Sequence, residues 1–139
     1  MGSLEDDLKR INELGGSYEA KFDAKQREME AAQKAQNVVA DGIKSKLNKI
    51  ETGLTRNMPF QVGIPLGRNS IAYPTRISGQ VYLVKTPENR IHLHIASGIC
   101  GWSIPYTDAP SDLLVMITDQ KLSELLHAIE EELKKGLSQ

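Results

Sequence analysis

The chain has 139 residues, of which 40% are hydrophobic and 25% are charged. These values are close to the average of globular domains, and they exclude wholesale disorder. A formal net charge of -1 removes the strong electrostatic argument for a nucleic acid or an anionic membrane as partner. We expect no membrane segment, because the longest apolar run, LLVMI at 113–117, is far shorter than the roughly 20 residues that a spanning helix needs. The single cysteine excludes an intrachain disulfide and favours a reducing, cytoplasmic location.

Proline divides the chain into two parts of different composition. All six prolines fall between Pro59 and Pro110, whereas the first 55 residues are proline-free and rich in alanine and lysine. This shift predicts an α+β protein with a helical arm over 1–55 and a compact domain over 56–139. In that domain we expect a small antiparallel β-meander packed by a C-terminal helix.

The arm begins with a short amphipathic helix. Leu4, Leu8, Ile11 and Leu14 recur at helical spacing and form one apolar stripe. The pair Gly15–Gly16 then predicts a hinge, because each glycine costs about 1 kcal/mol relative to alanine inside a helix. A second, longer helix is expected from about 18 to 55.

The long helix shows a seven-residue apolar interval that is typical of a coiled coil. The interval predicts self-pairing, with a dimer favoured, over a lone amphipathic helix that lies on the compact domain. A glutamine within the seam would fix register or oligomer number. The predicted oligomer interface consists of Phe22, Met29, Ala32, Gln36, Val39, Ile43, Leu47 and Ile50.

Two turns are expected in the meander, at Ser78–Gly79 and at Pro87–Asn89. If the second turn uses residues 87–90, Thr86 lies opposite Ile91. This register places Leu83 and Lys85 on one face of the sheet with the two histidines of the next strand.

That predicted face is a candidate partner surface formed by Leu83, Lys85, His92 and His94. The His-x-His spacing also permits a shared metal ion, but a third ligand is lacking and Lys85 would repel the ion. We therefore expect no metal and a half-exposed sheet face. Trp102 joins the candidates as an anchor, either in the core under the last helix, which we favour, or at an interface.

Two further expectations concern the end of the chain. Cys100 is interpreted as a small core residue rather than a nucleophile. Thr118 is the expected N-cap of the C-terminal helix, whose apolar stripe includes Leu122, Leu125 and Ile129.

No nucleophile elbow, Walker loop or dinucleotide fingerprint is present, so we expect no enzyme activity and no cofactor. The predicted function is a protein–protein interaction, as an assembly protein, adaptor, regulator or inhibitor that oligomerises through its N-terminal helix and binds a larger protein. One alternative is a metal-dependent enzyme based on the two histidines. Another is a nucleic-acid-binding module that uses the mildly basic junction of coil and sheet, with Lys44, Lys46, Lys49, Arg56, Arg68 and Arg76.

Overall fold

The structure is a computed structural model that describes residues 3–73 and 75–138. Its contacts divide into two compact units, Met1–Ala35 and Gln36–Gln139. A long helix, an antiparallel sheet of four strands and a C-terminal helix follow one another, which confirms the predicted α+β class. The elements are α1 (Leu4–Gly53), β1 (Val62–Tyr73), β2 (Thr75–Lys85), β3 (Ile91–Ser97), β4 (Cys100–Pro105), a 3-10 turn (Tyr106–Asp108), α2 (Ser111–Leu114) and α3 (Asp119–Leu137).

Helix α1 is continuous over 50 residues, so the predicted break at Gly15–Gly16 is wrong. It begins after Ser3, whose Oγ accepts the backbone N–H of Asp6 at 3.1 Å. The two glycines cost about 2 kcal/mol of helix propensity, but the leucine, glutamate and alanine residues around them favour helix and no proline interrupts it. Helical geometry therefore persists through the pair.

The last part of α1 belongs to the second unit. Ala40, Ile43 and Leu47 are buried there, because they pack into the core of that unit. The compact unit therefore begins at Gln36 and includes helical residues that the division at residue 55 assigned to the arm.

The sheet is a meander with strand order β1-β2-β3-β4, every pair antiparallel. The predicted turn at Ser78–Gly79 is wrong, because both residues lie inside β2. Gly79 is required by the packing of two strands and not by a turn. A Cβ at this position would lie 2.0 Å from the backbone oxygen of Ala96, so only glycine permits the close approach of β2 and β3.

One face of the sheet, here called the inner face, forms the core with the helices of the second unit. Helix α3 packs mainly against β1, and Thr118 caps it as predicted by accepting the backbone N–H of Lys121 at 3.2 Å. The buried residues of the inner face are Val62, Ile64, Ile71, Ile77, Val81, Leu83, Lys85, Ile91, Leu93, Ile95 and Ile104. The helical residues in the same core are Ala40, Ile43, Leu47, Leu113, Leu114, Leu122, Leu125 and Ile129.

The turn between β2 and β3 has three residues, Pro87–Asn89, rather than the four that the predicted register assumed. The backbone N–H of Thr86 donates to the oxygen of Arg90 at 2.8 Å, and Asn89 adopts a left-handed φ of 61°. Lys85 consequently lies opposite Ile91. Because a slip of one residue reverses the face of every side chain, the predicted pairing of Thr86 with Ile91 is wrong.

Candidate functional site

The corrected register separates the predicted partner surface into two faces. Leu83 and Lys85 are fully buried on the inner face, so their assignment to a partner surface is wrong. His92 and His94 lie on the opposite, outer face, across from Val84 and Tyr82 respectively. The two histidines therefore remain surface candidates without the two β2 residues that were grouped with them.

Lys85 is a buried cation whose three N–H groups are all satisfied by backbone carbonyls. Its Nζ donates to the oxygens of Met58 at 2.7 Å, Phe60 at 2.8 Å and Thr86 at 3.0 Å, and it lies 4.3 Å from the centre of the Phe60 ring. Burial lowers the pKa of Lys85 below its usual 10.5, and the nearby Glu88 opposes that shift. The ammonium group thus holds the segment that precedes β1 against the end of β2, which is a structural role.

The histidines form part of a small polar network on the outer face. The Nδ1 of His92 lies 2.9 Å from the Oγ of Ser103, and the rings of His94 and Tyr82 stand 6.4 Å apart at 44°. Over residues 3–73 and 75–138, no group of three or more His, Cys, Asp or Glu side chains is placed to hold a metal ion. The geometry of the described residues therefore offers a contact surface with aromatic and imidazole groups.

Trp102 and Cys100 lie on β4, at the edge of the sheet. Trp102 is 36% exposed and opposite Ile95, so the favoured placement in the core is wrong, and Cys100 is exposed rather than buried. Beside the strand is an open groove of about 320 Å³ that Asp108 borders. The lining residues of this groove, called the β4 groove below, are Ile71, Ala72, Trp102, Ser103, Ile104, Pro105, Asp108 and Pro110.

The predicted oligomer interface is divided between surface and core. Phe22, Met29, Ala32 and Val39 are exposed, with Met29 at 69% and Val39 at 53%. By contrast, Ile43 and Leu47 are buried in the core and Ile50 is half-buried against it, so these three do not belong to an exposed seam. The packing of the compact unit explains the helical stripe at this end of α1.

The side chain of Gln36 also forms hydrogen bonds within the compact unit. Its amide Nε2 donates to the Oγ of Ser111 at 3.0 Å and to a carboxylate oxygen of Asp112. These bonds attach α1 to the start of α2. Gln36 is therefore a contact within one chain, and the predicted role in fixing an oligomer register is not needed to explain it.

The exposed part of the seam extends further toward the start of the chain than predicted. Leu4, Leu8, Ile11 and Tyr18 are between 50% and 76% exposed. They continue the alternating spacings of three and four that pass through Phe22. The signal was present in the sequence, but the assumed break at Gly15–Gly16 divided it into two separate stripes.

The basic residues of the nucleic-acid alternative are distributed over several elements. They occupy the last third of α1, the segment after it, β1 and β2. Lys46 forms an ion pair with Asp119, with Nζ 2.6 Å from Oδ1, and Arg76 donates to the Oγ of Ser70 at 3.1 Å. The remaining members of the predicted set are Lys44, which is half-buried, and Lys49, Arg56 and Arg68, which are exposed.

Comparison with known proteins gives no information about the function of the chain. No protein-family model matches the chain, and no curated protein or solved structure is significantly similar to it. Across the described ranges, no helix offers an apolar stretch of the length that a bilayer requires.

Proposed function

We propose that the protein is a non-catalytic assembly protein that dimerises through the first part of α1 and uses its compact unit to bind a larger protein. The observation that carries the proposal is a seam of large apolar side chains over residues 4–32 that are half to three-quarters exposed. A water-exposed stripe of this kind in an amphipathic helix is typical of a helix that pairs. An exposed thiol at Cys100 is consistent with a reducing location, and we propose the cytoplasm.

The spacing of the seam follows the heptad of a two-stranded coiled coil. Leu8, Phe22 and Met29 occupy a positions, and Leu4, Ile11, Tyr18 and Ala32 occupy d positions. Gly15 at a and Lys25 at d interrupt the apolar pattern. A polar residue at a single core position restricts oligomer number at some cost in stability, which favours a dimer over larger assemblies.

The charges that flank the seam permit parallel, in-register pairing. In that arrangement each g residue faces the e residue five positions later on the other helix. Asp7 would face Asn12, Leu14 would face Glu19, Lys21 would face Gln26, and Glu28 would face Gln33. Each of these contacts joins a charged residue to an uncharged one, so no like charges are brought together.

The exposed area is sufficient for a stable dimer. Large apolar side chains at this degree of exposure supply roughly 800 Å² per helix, which equals the roughly 800 Å² per partner of a standard protein interface. Pairing would remove most of that area from water. The seam residues with the largest exposed side chains are Leu4, Leu8, Ile11, Tyr18, Phe22 and Met29.

The test is the mass of the full chain in solution, measured by light scattering or sedimentation equilibrium. We expect twice the 15.4 kDa chain mass for the wild type and 15.4 kDa for the double variant Ile11→Lys/Phe22→Lys. The matched control, Ala20→Lys/Ala31→Lys, adds the same two charges at exposed f and c positions and is expected to remain a dimer. A wild type that stays at the monomer mass at high concentration, or a seam variant that keeps the wild-type mass, would exclude the proposal.

A further inference from the structure

β4 is an edge strand without the usual protection against pairing. It lies at the end of the strand order, and among the described residues it pairs with β3 alone. Five of its six residues are exposed, and Ile99 just before it is completely exposed. Natural edge strands usually carry charges, prolines or bulges that prevent another chain from adding a strand. The stretch from Ile95 to Thr107 contains no charged residue, and its only proline is at the end of β4.

The opposite edge of the same sheet has more of this protection than β4, whose proline is its last residue. β1 contains Pro65, a register shift between Pro65 and Gly67, and the exposed Arg68. Helix α3 also packs against β1. One edge of the sheet is therefore blocked in several ways, and the other is available for strand addition.

The β4 groove provides a place for side chains of an added strand. Its apolar lining comes from Trp102, Ile104, Pro110 and Ile71, and its volume of about 320 Å³ accommodates a few side chains rather than a helix. Among the described residues that line the groove, Asp108 is the only charged one. Added strands gain affinity from backbone hydrogen bonds and specificity from such side-chain pockets.

The charges around the groove distinguish a foreign segment from a second copy of this chain. Between Ile91 and Gln120 the sequence contains no lysine or arginine, whereas it contains Asp108, Asp112 and Asp119. Arg90 lines a neighbouring groove together with Asp108, but its guanidinium already lies 3.4 Å from a carboxylate oxygen of Glu51. A second copy that pairs edge to edge would present the same acidic region and the same paired arginine, whereas another protein can supply an unpaired lysine or arginine to Asp108.

We propose that β4 binds an extended segment of a different protein as a fifth strand of the sheet. An apolar side chain of that segment packs against Trp102, and a lysine or arginine next to it pairs with Asp108. This site lies in the compact unit, so its test is independent of dimerisation through α1.

The experiment uses the full chain and synthetic peptides of about ten residues with alternating valine and threonine, a length that spans β4. One set carries a single lysine placed in turn at each position, and a second set carries glutamate instead. Affinity is measured by fluorescence anisotropy of labelled peptide. Trp102 is the only tryptophan of the chain, so a blue shift of its emission reports occupation of the β4 groove directly.

We expect the best lysine peptide to bind about tenfold tighter than its glutamate counterpart, the factor that one well-placed charge pair supplies. Asp108→Asn should remove that preference and Asp108→Lys should reverse it, whereas the exposed control Asp41→Asn should leave it unchanged. N-methylation of the peptide backbone should weaken binding at least about tenfold, because it removes the strand hydrogen bonds. The proposal is overturned by equal affinity for both peptide sets, by binding without a change in Trp102 emission, or by no binding at all.

Discussion

Replacing Lys85 by methionine tests whether its hydrogen bonds hold the start of the sheet in place. The substitution keeps an unbranched side chain of similar length but removes the donor for the carbonyls of Met58, Phe60 and Thr86. Two opposing effects then decide the outcome. The loss of the Lys85 hydrogen bonds destabilises the fold, and the removal of a buried charge relieves a desolvation penalty.

The structure gives the balance. An acceptor left unsatisfied costs about 1–3 kcal/mol. The oxygens of Met58 and Thr86 also accept the backbone N–H groups of Phe60 at 2.8 Å and Asn89 at 3.0 Å, so of the three carbonyls the partly buried Phe60 oxygen alone loses its donor. The cation–π contact with Phe60 adds about 1 kcal/mol. After an offset of about 1 kcal/mol for the relieved desolvation of the ammonium group and the greater apolar burial of methionine, we expect a loss of about 2 kcal/mol in the free energy of unfolding.

Urea unfolding followed by circular dichroism measures the loss, at one protein concentration because association shifts apparent stability. The control Lys49→Met removes an exposed lysine and should change stability by less than about 0.5 kcal/mol. The contribution of Lys85 also depends on pH. Since its pKa is below 10.5 in the folded state, unfolding takes up a proton between the two values, so the contribution of Lys85 to stability should rise with pH through that window. Burial raises the pKa of Tyr106 and acts in the opposite direction, so the measurement is the stability of the wild type relative to Lys85→Met, which should rise with pH.

A Lys85→Met protein as stable as the wild type would refute this reasoning. It would mean that desolvation of the ammonium group outweighs its three hydrogen bonds, as happens for some buried charges that are replaced by hydrophobic residues.

Two further substitutions test the close approach of β2 to β3 and the start of α3. Gly79→Ala would place a Cβ 2.0 Å from the backbone oxygen of Ala96, so we expect the free energy of unfolding, measured in urea, to fall by at least about 3 kcal/mol. A Gly79→Ala protein as stable as the wild type would show that β2 and β3 are not held so closely. Thr118→Ala removes the acceptor for the N–H of Lys121 and should cost about 1 kcal/mol, whereas Thr118→Ser should restore most of it; equal stability of both variants would contradict the capping role.

The α+β class and the order of its elements could be predicted because composition and periodicity act locally. Proline placement separated helix from sheet, and Thr118 accepts the capping bond expected at the start of α3. The turn at Pro87–Asn89 was also predicted correctly as a turn. These features depend on residues within a few positions of one another.

The two histidines of β3 were predicted correctly on a half-exposed face, but the faces of β2 were not, because they depend on a single residue of turn geometry. Asn89 closes a three-residue loop in the left-handed conformation, and this closure moves Lys85 to the inner face. A lysine in the core runs against the usual preference for a charged side chain to be exposed. Only the three carbonyls that surround it, two of them from the distant segment 58–60, make the placement favourable.

The candidate surfaces were predicted in part. The seven-residue interval identified Phe22 and Met29, which are exposed, but could not separate them from Ile43 and Leu47, which use the same spacing to fill the core. Periodicity reports which face of a helix is apolar and does not report what covers it. The β4 groove was missed because Asp108 and Ile71 are far apart in the sequence.

The meander has a consequence for how the chain folds during synthesis. Each strand pairs with the one made just before it, so the sheet forms from local hairpins as the polypeptide leaves the ribosome. Helix α3, which packs against β1, is made after all four strands. The inner face of β1 therefore lacks the cover of α3 until Leu122, Leu125 and Ile129 have been released, and apolar strand surface exposed in this way favours aggregation of the nascent protein.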